Sequence, residues 1–154
     1  MRIHEYSLVP DSEGAGRQRG GLALCREYEF VGHEPTFTTL ADRARFPAHG
    51  LHGGDDGKVA SYRRISGGEA RELGSKATVQ LATGDRVRIE TAGGGGFGPA
   101  HDRDPEAVLR DVREGKVSRA RARKAYGVAI RSTRSGEWTV DPSETKRLRR
   151  AQGR

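Results

Sequence analysis

Sulfur and aromatic rings are scarce in this sequence, and long apolar runs are missing. Cys25 is the single cysteine, which excludes an internal disulfide and a zinc cluster of thiolates, since each needs several thiols. It lies within the apolar-rich stretch 21–30, so a buried thiol is expected. Aromatic residues make up only 6% of the 154 residues and all hydrophobic residues 33%; a core can form at this length but it will be lean. No stretch approaches the ~18 consecutive apolar residues of a membrane-spanning helix, and the N-terminus lacks the apolar segment of a signal peptide. A cytoplasmic location without membrane contact is the resulting expectation. No serine or cysteine stands in a nucleophile motif with a histidine, so no catalytic residue is assigned.

Glycine and positive charge fill the space left by these absences. The chain has 22 glycines and six prolines, so turns and loops take a large share of it. Its net charge is +7, with much of the excess between Arg119 and Lys124 and again from Lys146 to Arg154. Such a balance suits acidic partners: phosphates, nucleic acid or an acidic protein surface. A solvated basic helix face is the plainer reading. A basic nucleic-acid-binding protein is kept as the alternative, but few aromatics interleave with the basic residues and no known binding motif is present. Its signature would be retention on DNA that falls steeply with salt.

Hydrophobic periodicity divides the chain in two. Residues 2–9 read as a strand, with Tyr6 and Leu8 on one face and Ile3 one position out of phase. Residues 22–31 read as a second, with Leu22, Leu24, Tyr28 and Phe30 on one apolar face, and Thr36 to Leu40 as a third. A long loop follows from Asp42 to Gly57. In Thr78 to Thr91, Val79 and Leu81 alternate before Thr83-Gly84-Asp85, and Val87 and Ile89 after it; this predicts a β-hairpin. From Asp104 the period becomes helical. Asp104-Pro105 supplies an N-cap and first residue, Val108, Leu109 and Val112 an apolar stripe, and Gly115 a stop. A second helix runs from Ser118 to Gly127, with Ala122, Ala125 and Tyr126 inward; 128–130 and 138–140 are short strands. A basic last helix starts at Asp141-Pro142, with Glu144 spaced for a capping box. The expected fold is α+β: a mainly antiparallel β-rich glycine-loop module over 1–100, then a region of two or three short C-terminal helices with a basic tail over 101–154.

Candidate contact residues sit in the loops. Gly93-Gly94-Gly95-Gly96-Phe97-Gly98 contains a formal Gly-x-Gly-x-x-Gly, but a dinucleotide site needs that loop to open a helix directly, and Pro99 to Arg103 intervene. No Gly-Lys-Ser/Thr follows, which excludes a P-loop. The glycines are expected to permit close backbone packing; a loop so bare can also turn N–H groups of Gly93, Gly94, Gly95 and Gly96 toward an anion or a substrate carbonyl. Arg17 and Arg19, in a glycine-rich loop, suit a carboxylate or other anion. Asp42-Arg43 reads as a loop-fixing ion pair or a substrate-orienting one. His49 and His52, with Asp55 and Asp56 close behind, have the composition of a metal site, but a glycine-broken loop does not hold ligand spacing, and no metal is assigned.

Several strings in series then carry a family resemblance. Pro10-Asp11-Ser12-Glu13-Gly14-Ala15-Gly16-Arg17-Gln18-Arg19-Gly20-Gly21, the stretch 40–54 with Asp42-Arg43, Leu73-Gly74-Ser75-Lys76 and the stretch 84–98 ending in the glycine run resemble signature loops of the hydantoinase B/5-oxoprolinase family, which includes N-methylhydantoinase B proteins. The stretch 104–128 is similar to the family's terminal helical region, so order and spacing agree over roughly residues 3–130. The resemblance implies the C-terminal portion of a B-type subunit. Members are parts of ATP-dependent enzymes that open cyclic amides such as hydantoins and 5-oxoproline; related members carboxylate ketones. A hydantoinase A-type subunit carries the ATP-binding fold, and ATP phosphorylates the amide or lactam oxygen before a nucleophile attacks. No cofactor is expected in this chain. ATP and a divalent metal belong to the complete hetero-oligomer, with the metal ligands outside this segment. The implied partners are the A-type subunit and the missing N-terminal part of the B-type one. Met1 suggests a split-gene product or a truncated reading frame, inactive alone; an inactive truncated remnant is the third reading, which a cooperative melting transition would argue against.

Overall fold

The computed structural model describes residues 1–152; Arg154, the end of the expected basic tail, lies outside the described residues. Seven strands come first: β1 (Arg2–Val9), β2 (Ala23–Glu29), β3 (Thr36–Leu40), β4 (Ser61–Ser66), β5 (Glu69–Leu73), β6 (Lys76–Gln80) and β7 (Arg86–Glu90). A 3-10 turn, Ala100–Asp102, leads to α1 (Pro105–Arg113) and α2 (Arg119–Tyr126), then β8 (Ile130–Ser132), β9 (Trp138–Val140) and α3 (Pro142–Gln152). The architecture is α+β, as expected. An antiparallel five-stranded sheet has the order β1-β2-β7-β4-β5, with β3-β6 and β8-β9 as two-stranded ribbons.

The predicted hairpin over 78–91 is not one. β6 pairs with β3, whereas β7 lies between β2 and β4. The Thr83-Gly84-Asp85 turn is bound to the chain following β2 rather than closed on itself: Phe30 N donates to Asp85 O and Gly84 N to Phe30 O, at 3.0 and 2.7 Å. The Asp85 carboxylate meanwhile accepts from Ala82 N and from the Arg64 guanidinium. The hairpin of this region is β4–β5, turned at Gly67 and Gly68, both at positive φ (56° and 87°). Two successive residues in that conformation match the twist of the flanking strands. Arg63 and Arg64 in β4 and Arg71 in β5 hide its apolar face in the sequence.

Three smaller expectations also shift. The most buried face of β2 is Ala23, Cys25 and Glu27, not the one bearing Leu24 and Tyr28, because a layer of ion pairs encloses Glu27. The out-of-phase Ile3 has a cause: the β1–β2 register slips between Ile3 and Glu5 at a bulge. At α3, Asp141 caps by accepting from Glu144 N, but the Glu144 carboxylate binds Arg123 and Arg147 instead of the Asp141 amide, which donates to Ala129 O. The capping box is therefore half formed. At α1 and α2, Asp104 and Ser118 accept from Glu106 N and Arg121 N, as their positions imply.

Two cores result. Val108, Val112, Val117, Ala122, Tyr126 and Val128 pack together in the C-terminal third, joined by Ala15 from the loop after β1. The other places Phe37 and Val79 of the β3–β6 ribbon against Tyr62, Leu73 and Ile89 of the main sheet. Each fully buried side chain of this size stabilises by about 1.5–3 kcal/mol.

Between the cores, three loops are woven together. Val9 sits opposite Ala23, Cys25 opposite Glu90, and Glu90 opposite Ser61, so the loops 10–22, 41–60 and 91–99 leave the same end of the sheet. They bond main chain to main chain: Gly14 N to Gly94 O (2.8 Å), Gln18 and Phe97 reciprocally (2.9 Å each), Leu51 N to Gly96 O (2.9 Å), Gly96 N to Asp55 O (2.9 Å) and Asp55 N to Ala15 O (2.7 Å). Backbones this close exclude side chains. A Cβ on Gly93 would overlap the Ser12 carbonyl, and one on Gly96 the Ala15 carbonyl. Replacing Gly93 by alanine is expected to destabilise the fold by about 3 kcal/mol through overpacking against backbone. Gly21→Ala, where nothing lies within 4 Å of the added Cβ, should leave the urea midpoint nearly unchanged; equal midpoints for the two variants would contradict the packing.

Candidate functional site

The loop junction is fixed to the helices by two carboxylates that precede the first glycines. Asp11, at φ 59°, accepts from Ser118 N at 2.7 Å, and its own N–H donates to Lys116 O. Glu13 has a fully buried side chain. Its Oε1 accepts from Arg121 Nε at 2.7 Å and from the Tyr126 hydroxyl at 3.1 Å, while Arg121 Nη2 donates to the Glu13 carbonyl at 2.6 Å. Oε2 of Glu13 is buried with no hydrogen-bond partner among the described residues. Burial, helped by the Glu13 charge, raises the Tyr126 pKa above the ordinary phenol value. Beside this junction opens a cavity of about 390 Å³, lined by Asp11, Asp55, Ser118, Arg121 and Lys124 among others. A larger groove, about 700 Å³, lies between the start of α1 and α3 and shares no lining residue with the loops.

Sequence-predicted residues distribute unevenly around this junction. Arg19 is engaged: Nε donates to Asp111 of α1 at 3.1 Å and Nη1 to Gly20 O at 2.7 Å. Arg17 is exposed, with its carbonyl accepting from Arg103. Asp42 and Arg43 do not bond to each other; Arg43, at φ 64°, donates to Pro47 O at 2.8 Å. The N–H groups of Gly93, Gly94 and Gly96 donate to Lys58 O, Gly21 O and Asp55 O, so they serve the weave. His49 lies 3.2 Å from Asp56, and the His52 ring packs at a tilt against Phe97 with ring centroids 4.9 Å apart. Among the described residues, no group of three or more His, Cys, Asp or Glu is arranged to hold a metal ion.

A second constellation was not foreseen. On one face of the main sheet Arg88 meets Glu5, Glu27 and Glu90 at 2.5, 3.0 and 3.0 Å. Arg86 binds Glu27 at 2.7 Å, and Arg63 and Lys58 bind Glu90 at 2.7 and 3.4 Å. Burial alone would lower the Arg88 pKa, but hydrogen bonds to the three carboxylates outweigh it and raise it. Burial likewise pushes the Glu90 carboxyl up, and the surrounding cations more than reverse that, holding it below the usual carboxylate range. Burial raises the Cys25 thiol, at 0% exposure on the same face. The available signal was register: Glu5, Glu27, Arg88 and Arg63 sit in one row across four strands, and only the strand order reveals it.

Chemically, both constellations neutralise their charges in place. Guanidiniums are spent on carboxylates and carbonyls, and the buried thiol is held protonated at neutral pH. This defines a β scaffold with loops knitted by main-chain bonds, shaped to present backbone and a small cavity. A family model described as hydantoinase B/oxoprolinase matches residues 1–100. The beta subunit of the caprolactamase of Pseudomonas jessenii is 33% identical over 97% of this chain and 26% of its own length. The B-type component of a putative D-/L-hydantoinase from a Pseudomonas species (strain NS671) is 32% identical over 97% of this chain and 25% of its own. The crystal structure of ATP-dependent caprolactamase from Pseudomonas jessenii superposes with a TM-score of 0.81 at 29% identity, covering 96% of this chain and 26% of that one. The chain belongs to the hydantoinase B/oxoprolinase family. It spans about a quarter of the length of these relatives.

The Glu13–Arg121 pair gives a direct test of the junction. Arg121→Ala leaves the buried Glu13 carboxylate without its cationic partner, and should cost about 3 kcal/mol in urea unfolding. Glu13→Gln, which keeps an acceptor for Arg121 and Tyr126, should cost less. The reverse order would show that the pair does not hold the junction together.

Proposed function

We propose that this chain supplies the C-terminal β module of a hydantoinase B-type subunit, completing an ATP-dependent cyclic-amide hydrolase together with an A-type subunit and the rest of the B-type polypeptide. The observation that carries this reading is the match of nearly the whole chain to one quarter of B-type relatives, in sequence and in fold. Residues 1–100 form the glycine-loop module in this proposal, and 101–154 its helical brace. ATP and a divalent metal are contributed by the completed assembly. Within the module, Gly93 to Gly96 and Arg19 act as scaffold. Arg17, exposed beside the weave, and Asp42 and Arg43 at the mouth of the long loop are the side chains offered to an anion or a neighbouring polypeptide.

Nucleic-acid binding is not favoured. Several of the basic groups that motivated it are engaged: Arg121 with Glu13, Arg123 and Arg147 with Glu144, and Arg149 with the Tyr126 and Arg103 carbonyls. No helix among the described residues is long and apolar enough to cross a membrane.

The purified chain alone is expected to show no ATP-dependent opening of hydantoin, 5-oxoproline or caprolactam. Adding it to an A-type subunit and a B-type polypeptide lacking the matched quarter should restore product formation coupled to ADP release. Turnover by the isolated chain, or no restoration in the mixture, would overturn the proposal.

A further inference from the structure

The two edges of the main sheet are built differently. β5 closes one of them with Glu69, Ala70, Arg71 and Glu72 all exposed, and charged side chains are a common guard against further strand pairing. β1 closes the other. It is the longest strand of the sheet, and among the described residues it pairs with β2 alone. Beyond Arg2 and His4 at its start, its exposed side chains are apolar: Ile3 at 60%, Tyr6 at 64% and Leu8 at 48%. An edge strand turns a row of unpaired N–H and C=O groups outward, and an apolar edge invites a partner.

The face behind this edge is also half covered. Register runs Tyr6, Arg26, Ile89, Tyr62, Leu73 across all five strands. Phe37 and Val79 of the β3–β6 ribbon close the Ile89–Tyr62–Leu73 end of that row. At the β1 end only the Arg26 guanidinium lies over the Tyr6 ring, 4.9 Å from its centroid, with Leu24 and Tyr28 partly exposed beside it. One apolar face thus passes from a covered half to an open half. The bulge after Ile3 turns the first residues aside, which leaves Glu5 to Val9 as the regular accepting stretch.

We propose that this edge and open face receive an extended, alternately apolar strand from the remaining portion of the B-type polypeptide, which adds to the sheet beside β1. The inference rests on the proposed function. The relatives carry about three quarters of their length outside the matched region, so in them a module of this kind is attached to a body of chain large enough to cover such a face. Strand addition supplies main-chain hydrogen bonds for affinity, and Tyr6 and Leu8 the side-chain selectivity.

The test mixes the full chain with the remaining portion of its own source's B-type polypeptide, produced separately, and measures association by titration calorimetry. A Tyr6→Lys/Leu8→Lys double variant is expected to bind at least tenfold more weakly, with the melting midpoint of the chain alone lowered only slightly, since both side chains are exposed and the loss is confined to the Tyr6–Arg26 contact. In the wild-type complex, the amides of Glu5 to Val9 should gain protection from hydrogen exchange, a readout independent of how the variant folds. Equal binding by the variant, or no gain in protection, overturns the docking site and leaves the proposed function standing. A wild-type chain that does not bind at all overturns the proposed function, and this inference with it. Self-association through β1 that the remaining portion cannot displace identifies a second copy as the occupant and overturns the inference.

Discussion

Three loops can cross at main-chain distance only where side chains are absent, and that condition organises this molecule. The segments after β1, before β4 and after β7 exchange N–H···O bonds as if they were strands, yet they run as irregular chain across one end of the sheet. Each close crossing removes the space for a Cβ on at least one side. The high glycine content is therefore a packing requirement rather than a sign of looseness. Every loop needs the other two to satisfy its backbone, since buried N–H and C=O groups left unpaired are costly. The sheet, the β3–β6 ribbon and the helical third are held in one arrangement because all of them terminate in, or pack upon, this weave.

Charge plays the part that aromatic packing plays in richer cores. With few large apolar side chains available, one face of the main sheet is filled by Arg88 and three glutamates, and the junction with α2 by Glu13, Arg121 and Tyr126. Such pairs contribute modestly to net stability, because desolvation offsets much of their attraction. They do penalise misregister: a one-residue slip would turn each charge to the opposite face. The arrangement thus favours a unique strand order over a generous margin of stability.

Legibility in the sequence followed the range of the interaction. Helix starts at Asp104 and Ser118 were readable because a cap acts within three residues. Strands β1 and β2 were readable from alternation. The family relation was readable because four loops recur in order. The pairing of β7 with β2 and β4 was not, since alternation shows that a strand has a face but not which strand lies beside it. β4 and β5 escaped notice because Arg63, Arg64 and Arg71 interrupt their apolar pattern, although Gly67-Gly68 between them was a hairpin signal. The packing use of the glycine run was legible from the bareness of its sequence, and the close backbone crossings agree with it. The partners of Glu13 could not be found from spacing, because Arg121 and Tyr126 lie more than a hundred residues away.

The position of Glu13 sets where this polypeptide can be divided. The segment recognised by the family model ends at residue 100, but the acid within its first loop finds its side-chain partners, Arg121 and Tyr126, beyond that point. Ala15, two residues on, is a member of the C-terminal core. The recurring segment and the cooperative unit are consequently not the same length. Any excision or domain graft cut at the end of the recognised segment would leave an uncompensated anion inside the protein, so the smallest portable unit must extend through α2.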